Sequence, residues 1–235
     1  MAISHVKKCT LTIYNLCQTQ GWLILFIMLV IQIKNDPYKA FYEARETLQT
    51  EIFIYQVLQG AQLLDVIFPM IGFTRGSVVN AFLQTGARSI FGFISLPMHR
   101  EYLPIVLPIL ICFSAGEFAR YQFNLIHTLG WSKTRLGRIS GHMRWNAFLV
   151  LYPIGAFLDG LAGVFTIPVM KETEPMPYSI SLPNKLNFAF NFAYFLTALP
   201  LAYVMQFPVN FGHLLRKRKQ FYAELEFEDA KAKID

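Results

Sequence analysis

Cysteine and charged residues are both scarce in this sequence. The three cysteines, Cys9, Cys17 and Cys112, are scattered, with no pairing pattern and no spacing typical of a metal site. Charged residues make up 15% of the chain, hydrophobic residues make up 54%, and the mean hydropathy is +0.37. A soluble domain of 235 residues has a more polar surface than this. The composition therefore disfavours a soluble domain and indicates a membrane protein.

The net charge of +6 needs a separate explanation. On a soluble protein such an excess would suggest nucleic-acid binding. Here the basic residues cluster in short connections and in the run at residues 216–219, a pattern typical of membrane topology signals. We therefore expect membrane lipid as the surroundings and no nucleic-acid partner.

Long apolar runs predict the fold class. Their lengths suit spanning helices, and they lack the alternation of barrel strands. The sequence thus predicts an all-α, polytopic membrane protein, with one six-helix transmembrane domain over residues 1–215 and a charged cytosolic tail over residues 216–235. The predicted spans are Leu11–Ile33, Ile52–Phe73, Ser77–Leu96, Leu103–Leu129, Met143–Val169 and Leu186–Leu215.

Basic residues in the connections predict the orientation, because the side richer in Lys and Arg is cytosolic. The chain also ends with a K-x-K-x-x pattern from Lys231 to Asp235, typical of retrieval to the endoplasmic reticulum, which acts only in the cytosol. Both signals predict an endoplasmic-reticulum protein with both termini in the cytosol. The richer side holds Lys7, Lys8, Arg75, Lys133, Arg135, Arg138 and residues 216–219, and the other holds Lys34, Lys39, Arg45, Arg100, Lys171 and Lys185.

Polar and charged residues inside the spans predict an interior site. A charge in a spanning helix costs about 2.5–3.5 kcal/mol on insertion scales and therefore faces the bundle interior. Glu117 and Arg120 are three residues apart and can pair directly, and we expect Asp65 to meet Arg88 in a helical hairpin. The alternative is that such pairs only lock helix packing. The predicted polar chamber is formed by Asp65, Gln84, Arg88, Glu117, Arg120, Tyr152 and Asp159.

Tyr152 and Asp159 are the candidate catalytic residues within this set. They are seven residues apart, so two helical turns place them on one face, about 10 Å apart along the axis. A phenol and a carboxylate that face one cavity can divide acid and base work. The alternative is a helix kinked at Pro153 with an interfacial tyrosine.

Motifs spread along nearly the whole chain resemble those of one enzyme family. In order and spacing the sequence resembles the 3-hydroxyacyl-CoA dehydratases of very-long-chain fatty-acid elongation, a family once called protein tyrosine phosphatase-like. The matching motifs are Tyr14-Asn15, Gly21-Trp22, Leu63-Leu-Asp65-Val, Gln84-x-x-x-Arg88, Glu117-x-x-Arg120-Tyr121, Leu149-Val-Leu-Tyr-Pro-Ile-Gly155 and Tyr178-Ser-Ile-Ser-Leu-Pro-Asn-Lys185-x-Asn187-Phe.

The resemblance implies a carbon–oxygen lyase. Its reaction is dehydration of a very-long-chain 3-hydroxyacyl-CoA to the trans-2-enoyl-CoA, the third step of the microsomal elongation cycle, with no metal or organic cofactor. The family's catalytic tyrosine and acid correspond to Tyr152 and Asp159. The resemblance also implies an acyl-CoA substrate and, as partners, the elongase condensing enzyme and the ketoacyl and enoyl reductases.

Two acids depart from the family pattern. Asp159 and Asp65 stand where relatives carry Glu, so each side chain is shorter by one methylene. Two hypotheses therefore remain, an active dehydratase and a non-catalytic relative that acts as a scaffold for elongase components or acyl chains. A transporter is a third, motivated only by the buried charges, and the absence of paired halves disfavours it.

The older family name does not imply phosphatase chemistry. A tyrosine phosphatase needs an Arg six positions after its Cys. In this chain Asn15, Leu23 and Phe118 occupy those positions after the three cysteines. Phosphate capture by that route is therefore excluded.

The predicted orientation can be tested by glycosylation mapping. The chain has no Asn-x-Ser/Thr sequon of its own, so an introduced one reports without background. A sequon placed in residues 216–235 should stay unmodified in microsomes, whereas one in the connection at residues 170–185 should be glycosylated. A glycosylated tail would contradict the predicted orientation.

Overall fold

The protein is built from helices. A computed structural model describes residues 2–98, 104–173, 178–185 and 187–231, and among these residues it has ten α-helices, one π-helical turn and no β-strand. The predicted all-α class is thus confirmed for this part of the chain. The helices are α1 Ala2–Asn35, α2 Pro37–Tyr42, α3 Ala44–Thr47, α4 Gln49–Ala61, α5 Leu64–Met70, α6 Val78–Ile90, α7 Leu96–Met98, α8 Val106–Leu129, α9 Arg135–Glu172 and α10 Phe192–Lys231, with the π-helical turn at Phe91–Ser95.

Two predicted connections are wrong in extent. The connection predicted at residues 34–51 contains α2 and α3. The one predicted at residues 130–142 is helical from Arg135 onward, because the Thr134 side chain accepts a hydrogen bond from the Gly137 amide at 3.2 Å and caps α9 there. Local capping, rather than apolar composition, sets where this helix begins.

The predicted second and third spans are interrupted helices. Residues 52–73 are divided between α4 and α5, and the π-helical turn separates α6 from α7. Side chains of α4 stabilise that turn, since the Gln56 amide donates to the Gly92 carbonyl at 2.8 Å and the Tyr55 hydroxyl donates to the Arg88 carbonyl at 3.2 Å. Such π-turns are frequent at functional sites, and this one begins three residues after Arg88.

The outer surface of the bundle suits lipid rather than water. In the described part of the chain, three helical segments are long and apolar enough to cross a membrane, His5–Asn35, Gln49–Met70 and Arg135–Glu172. Large apolar side chains point outward, as Phe157 does with 67% of its surface exposed. Polar side chains such as Glu117 are buried instead. This distribution, apolar outside and polar inside, indicates a membrane protein.

The long helices pack side by side. Helix α1 packs along α8, α8 along α9, and α9 along α10, while α6 packs on α4 and α5. The aromatic centre of the core lies where α1 meets α4, with the rings of Trp22 and Tyr55 edge to face at 5.9 Å and both side chains fully buried. This packing leaves a space bounded by α6, α8, α9 and α10.

A glycine allows α9 and α10 to approach closely. A Cβ atom at Gly141 would overlap the ring of Phe221. We therefore expect Gly141→Val to destabilise the protein by about 1–3 kcal/mol through overpacking, measured as a lower unfolding temperature in detergent.

The matched control is Gly163→Ala, on the same helix. No atom lies within 4 Å of the Cβ position at Gly163. Because alanine favours the helix by about 1 kcal/mol, this variant should be at least as stable as wild type. Equal unfolding temperatures for the two variants would contradict the close packing at Gly141.

Candidate active site

One cavity of about 260 Å³ lies between α6, α8, α9 and α10. Helix α9 contributes an inward stripe with the spacing of one helix face, which includes Arg144, Tyr152, Gly155 and Asp159. Gly155 is buried against Phe113 of α8, so the backbone of α9 comes close to α8 there. The stripe therefore faces the cavity and not lipid.

Most of the predicted site residues line this cavity. Asp65 is the exception, because it lies behind the wall, where it binds Arg120. The predicted residues on the cavity wall are Gln84, Arg88, Glu117, Arg120, Tyr152 and Asp159.

Glu117 is the centre of the charged wall. Its side chain is buried, with 3% exposed. It accepts hydrogen bonds from Gln62 Nε2 at 2.8 Å and from Arg120 Nε at 2.7 Å, and it forms an ion pair with Arg88. The predicted pair of Glu117 and Arg120 is thus confirmed. One carboxylate thereby joins the end of α4 to α6 and α8.

Asp65 has a different partner from the predicted one. Its Oδ2 atom accepts hydrogen bonds from Arg120 Nη2 at 2.8 Å and from the Tyr121 hydroxyl at 2.7 Å, and its Oδ1 atom accepts one from the Tyr14 hydroxyl at 2.8 Å. The predicted Asp65–Arg88 pair is wrong, because α8 supplies the opposite charge for each residue. Two phenols from α1 and α8 reach the shorter acid and complete its hydrogen bonds.

Tyr152 is held from α10. Its ring is nearly parallel to those of Phe207, with centroids 5.3 Å apart, and Phe211, with centroids 6.2 Å apart. Its hydroxyl interacts with the Asn210 side chain, and Phe207 and Asn210 also line the cavity. Our reading of the sequence missed these α10 residues. An asparagine within an apolar span was the available signal.

Asp159 lies two turns beyond Tyr152 on the same face of α9. Its side chain is buried, with 8% exposed, and apolar residues such as Ile90 of α6 and Phe195 of α10 also line the cavity. The cavity therefore offers a phenol and a carboxylate beside guanidinium groups. Such a set can donate a proton, accept a proton and stabilise a developing negative charge.

Arg144 also lines the cavity and was not among the predicted residues. It lies on the α9 stripe, two turns before Tyr152. Metal-binding side chains are not gathered here. Within the described ranges, no group of three or more His, Cys, Asp or Glu residues is placed to hold a metal ion.

Comparison with known proteins identifies relatives over most of the chain. The family model described as protein tyrosine phosphatase-like protein, PTPLA, matches residues 59–224. Very-long-chain (3R)-3-hydroxyacyl-CoA dehydratase 1 of Canis lupus familiaris is 29% identical over 89% of this chain and 81% of its own length. The Arabidopsis thaliana very-long-chain (3R)-3-hydroxyacyl-CoA dehydratase PASTICCINO 2 is 29% identical over 93% of this chain and 95% of its own length. Very-long-chain (3R)-3-hydroxyacyl-CoA dehydratase 2 of Homo sapiens is 28% identical over 92% of this chain and 82% of its own length. No solved structure matches the chain.

Removal of the Glu117 carboxylate should destabilise the fold strongly. Glu117→Ala leaves the guanidinium groups of Arg88 and Arg120 without their shared buried partner. Breaking a buried pair in this way costs about 3–5 kcal/mol. We expect a markedly lower unfolding temperature for the purified protein in detergent.

Glu228 provides the matched control. It makes only long ion pairs near the surface, at 4.0 Å to Lys133 and 3.9 Å to Arg138. Glu228→Ala should therefore cost less than about 1 kcal/mol. If the two variants unfold at the same temperature, Glu117 does not have the central position described above.

Proposed function

The chain belongs to the protein tyrosine phosphatase-like family, PTPLA, and on this basis we propose that it dehydrates very-long-chain 3-hydroxyacyl-CoA to trans-2-enoyl-CoA. Curated relatives over about nine-tenths of the chain are named as very-long-chain (3R)-3-hydroxyacyl-CoA dehydratases. The observation that carries the proposal is the placement of Tyr152 and Asp159 on one wall of one cavity. The reaction makes the protein a carbon–oxygen lyase of fatty-acid elongation.

The cavity supplies the groups that this dehydration requires. A base must remove the proton alpha to the thioester, and an acid must protonate the departing beta-hydroxyl. Tyr152 and Asp159 share these two tasks, and either assignment fits the geometry. Negative charge that develops on the thioester oxygen is stabilised by the guanidinium groups at the wall, such as Arg88. The chemistry requires no metal or organic cofactor.

Six membrane spans with both termini in the cytosol form part of the proposal. Beyond the three apolar segments, the additional spans are α6 with its π-helical turn and α7, then α8, and then the first part of α10. Contacts between basic segments support the orientation. Lys7 Nζ donates to the Gly72 carbonyl at 2.8 Å, so Lys7 lies near the end of α5 that precedes Arg75, and Lys133 pairs with Glu228 of the proposed cytosolic tail.

Residence in the endoplasmic reticulum is also part of the proposal, because the resemblance implies a step of the microsomal elongation cycle. Lys231 ends α10, and residues 232–235 lie outside the described residues. Helix α10 runs unbroken across residue 216, so the proposed tail continues the last span as a helix. The proposed partners are the condensing enzyme and the two reductases of elongation, because the substrate is the product of ketoacyl reduction and the product is the substrate of enoyl reduction.

A scaffold function is the alternative that Asp159 favours, because this acid is shorter than the Glu of the family pattern. A displacement of about 1 Å can reduce a rate on the order of a hundredfold. In that case the bundle would bind elongase components or acyl chains without turnover.

Substitution of the phenol or of the carboxylate tests the catalytic assignment. We expect Tyr152→Phe and Asp159→Asn each to remove most dehydratase activity, since each removes a proton-transfer group while preserving shape. Protein level in the membrane should stay unchanged. The assay is conversion of a long-chain 3-hydroxyacyl-CoA by membranes that contain each variant.

The same two chemical changes away from the cavity are the controls. Tyr194 is 71% exposed, and Asp36 caps α2, where asparagine caps equally well. Tyr194→Phe and Asp36→Asn should retain full activity. Full activity of Tyr152→Phe and Asp159→Asn would refute the catalytic assignment.

A longer side chain at Asp159 distinguishes the enzyme hypothesis from the scaffold hypothesis. If Asp159 reaches the substrate imperfectly, Asp159→Glu should preserve or raise the rate, and if the cavity has adapted to Asp, the longer side chain should lower it. Both outcomes support catalysis by wild type. An inactive wild type with an active Asp159→Glu variant would instead establish the scaffold alternative.

A further inference from the structure

Among the described residues no anion pairs with Arg144, and in this it differs from the other guanidinium groups of the cavity. Arg88 and Arg120 both pair with Glu117. Among the described residues, the Arg144 side chain forms no hydrogen bond and no ion pair. Its guanidinium group makes a cation–π contact with the ring of the adjacent Trp145, at 5.6 Å from the ring centroid. It nevertheless lines the cavity.

The charges around Arg144 make its position costly. The charged groups close enough to act on it are Arg120 and Arg88, which are also cations. The nearby carboxylates are already engaged, Glu117 by both of these arginines and Asp65 by Arg120. An unpaired cation within a membrane bundle is unfavourable unless an anion joins it. An anionic ligand in the cavity would supply the counterion that the described residues do not.

The location of Arg144 indicates which part of a ligand it meets. Arg144 lies eight residues before Tyr152, or about 12 Å along the helix axis. Asp159 lies on the other side of Tyr152, seven residues after it. Arg144 thus places a positive charge at one end of the cavity, and apolar side chains such as Ile90 and Phe195 line other parts of its wall.

We propose that Arg144 is a phosphate subsite, which binds the diphosphate end of the coenzyme A thioester. The inference rests on the proposed dehydratase function for the identity of the ligand. With the phosphates at Arg144, the flexible pantetheine arm extends along α9 and brings the thioester to Tyr152 and Asp159. The acyl chain then continues along the apolar side chains of the cavity wall.

A comparison of two thioesters tests the subsite. The first is a long-chain 3-hydroxyacyl-CoA, and the second is the N-acetylcysteamine thioester of the same acid, which has no phosphate. For Arg144→Gln we expect the KM of the CoA thioester to rise by about ten- to a hundredfold, the effect of losing a charge-assisted hydrogen bond, with kcat nearly unchanged. The kcat/KM of the truncated thioester should equal that of wild type.

The control variant is Arg135→Gln, at the exposed start of α9. It removes the same charge outside the cavity and should leave both substrates unaffected. Arg144→Gln should also unfold at the wild-type temperature or above, because it removes an uncompensated cation. An equal loss of kcat with both thioesters would place Arg144 at the reacting carbonyl and overturn the phosphate subsite, as would unchanged kinetics with both.

Binding of coenzyme A itself separates this inference from the proposed function. The measurement uses purified protein in a sugar detergent without phospholipid, so that a lipid phosphate cannot occupy the subsite. Affinity for CoA that depends on Arg144, in a protein without turnover, would support the subsite and overturn the dehydratase. Turnover with a KM independent of Arg144 would overturn the subsite alone. A wild type that neither binds CoA nor turns over would overturn both.

Discussion

A charge buried in a membrane bundle has to be neutralised by the protein or by a bound ligand, because lipid offers it neither water nor a counterion. In this chain the Glu117 carboxylate meets that constraint for two helices at once, through Arg120 on its own helix and Arg88 on α6, while Gln62 binds it from the end of α4. Arg120 extends the network to Asp65 and its two phenols. The cavity between α6 and α8 keeps its shape because these contacts hold its charged wall.

The opposite wall is organised by packing rather than charge. Helix α9 presents Tyr152 and Asp159 to the cavity, and α10 holds the Tyr152 ring by stacking with Phe207 and Phe211. A phenol fixed in this way keeps its hydroxyl directed at one place, which is what proton transfer within a short distance requires. In the proposed mechanism α6 and α8 thus supply electrostatic stabilisation, and α9 supplies the groups for proton transfer.

Features determined by near neighbours in the sequence were predictable, and features determined by helix packing were not. The helical class and the Glu117–Arg120 pair follow from local composition and spacing, and the structure contains both. The expected Asp65–Arg88 pair assumed that consecutive helices satisfy each other, whereas α8 supplies the partner for each residue. Asn210 was missed because only the packing of α10 on α9 brings it to the Tyr152 hydroxyl. Arg144 shares the helix face of Tyr152, but only the packing of the helices shows that the cavity extends to this end of the face.

The central claim is that a phenol and a shortened acid on α9 catalyse dehydration in a cavity walled by guanidinium groups. The most direct measurement uses the purified protein, reconstituted in lipid vesicles and supplied with a long-chain (3R)-3-hydroxyacyl-CoA, with the products identified by mass spectrometry. The account predicts formation of the trans-2-enoyl-CoA without any added metal or cofactor. Absence of this product, from protein with a cooperative unfolding transition, would contradict it.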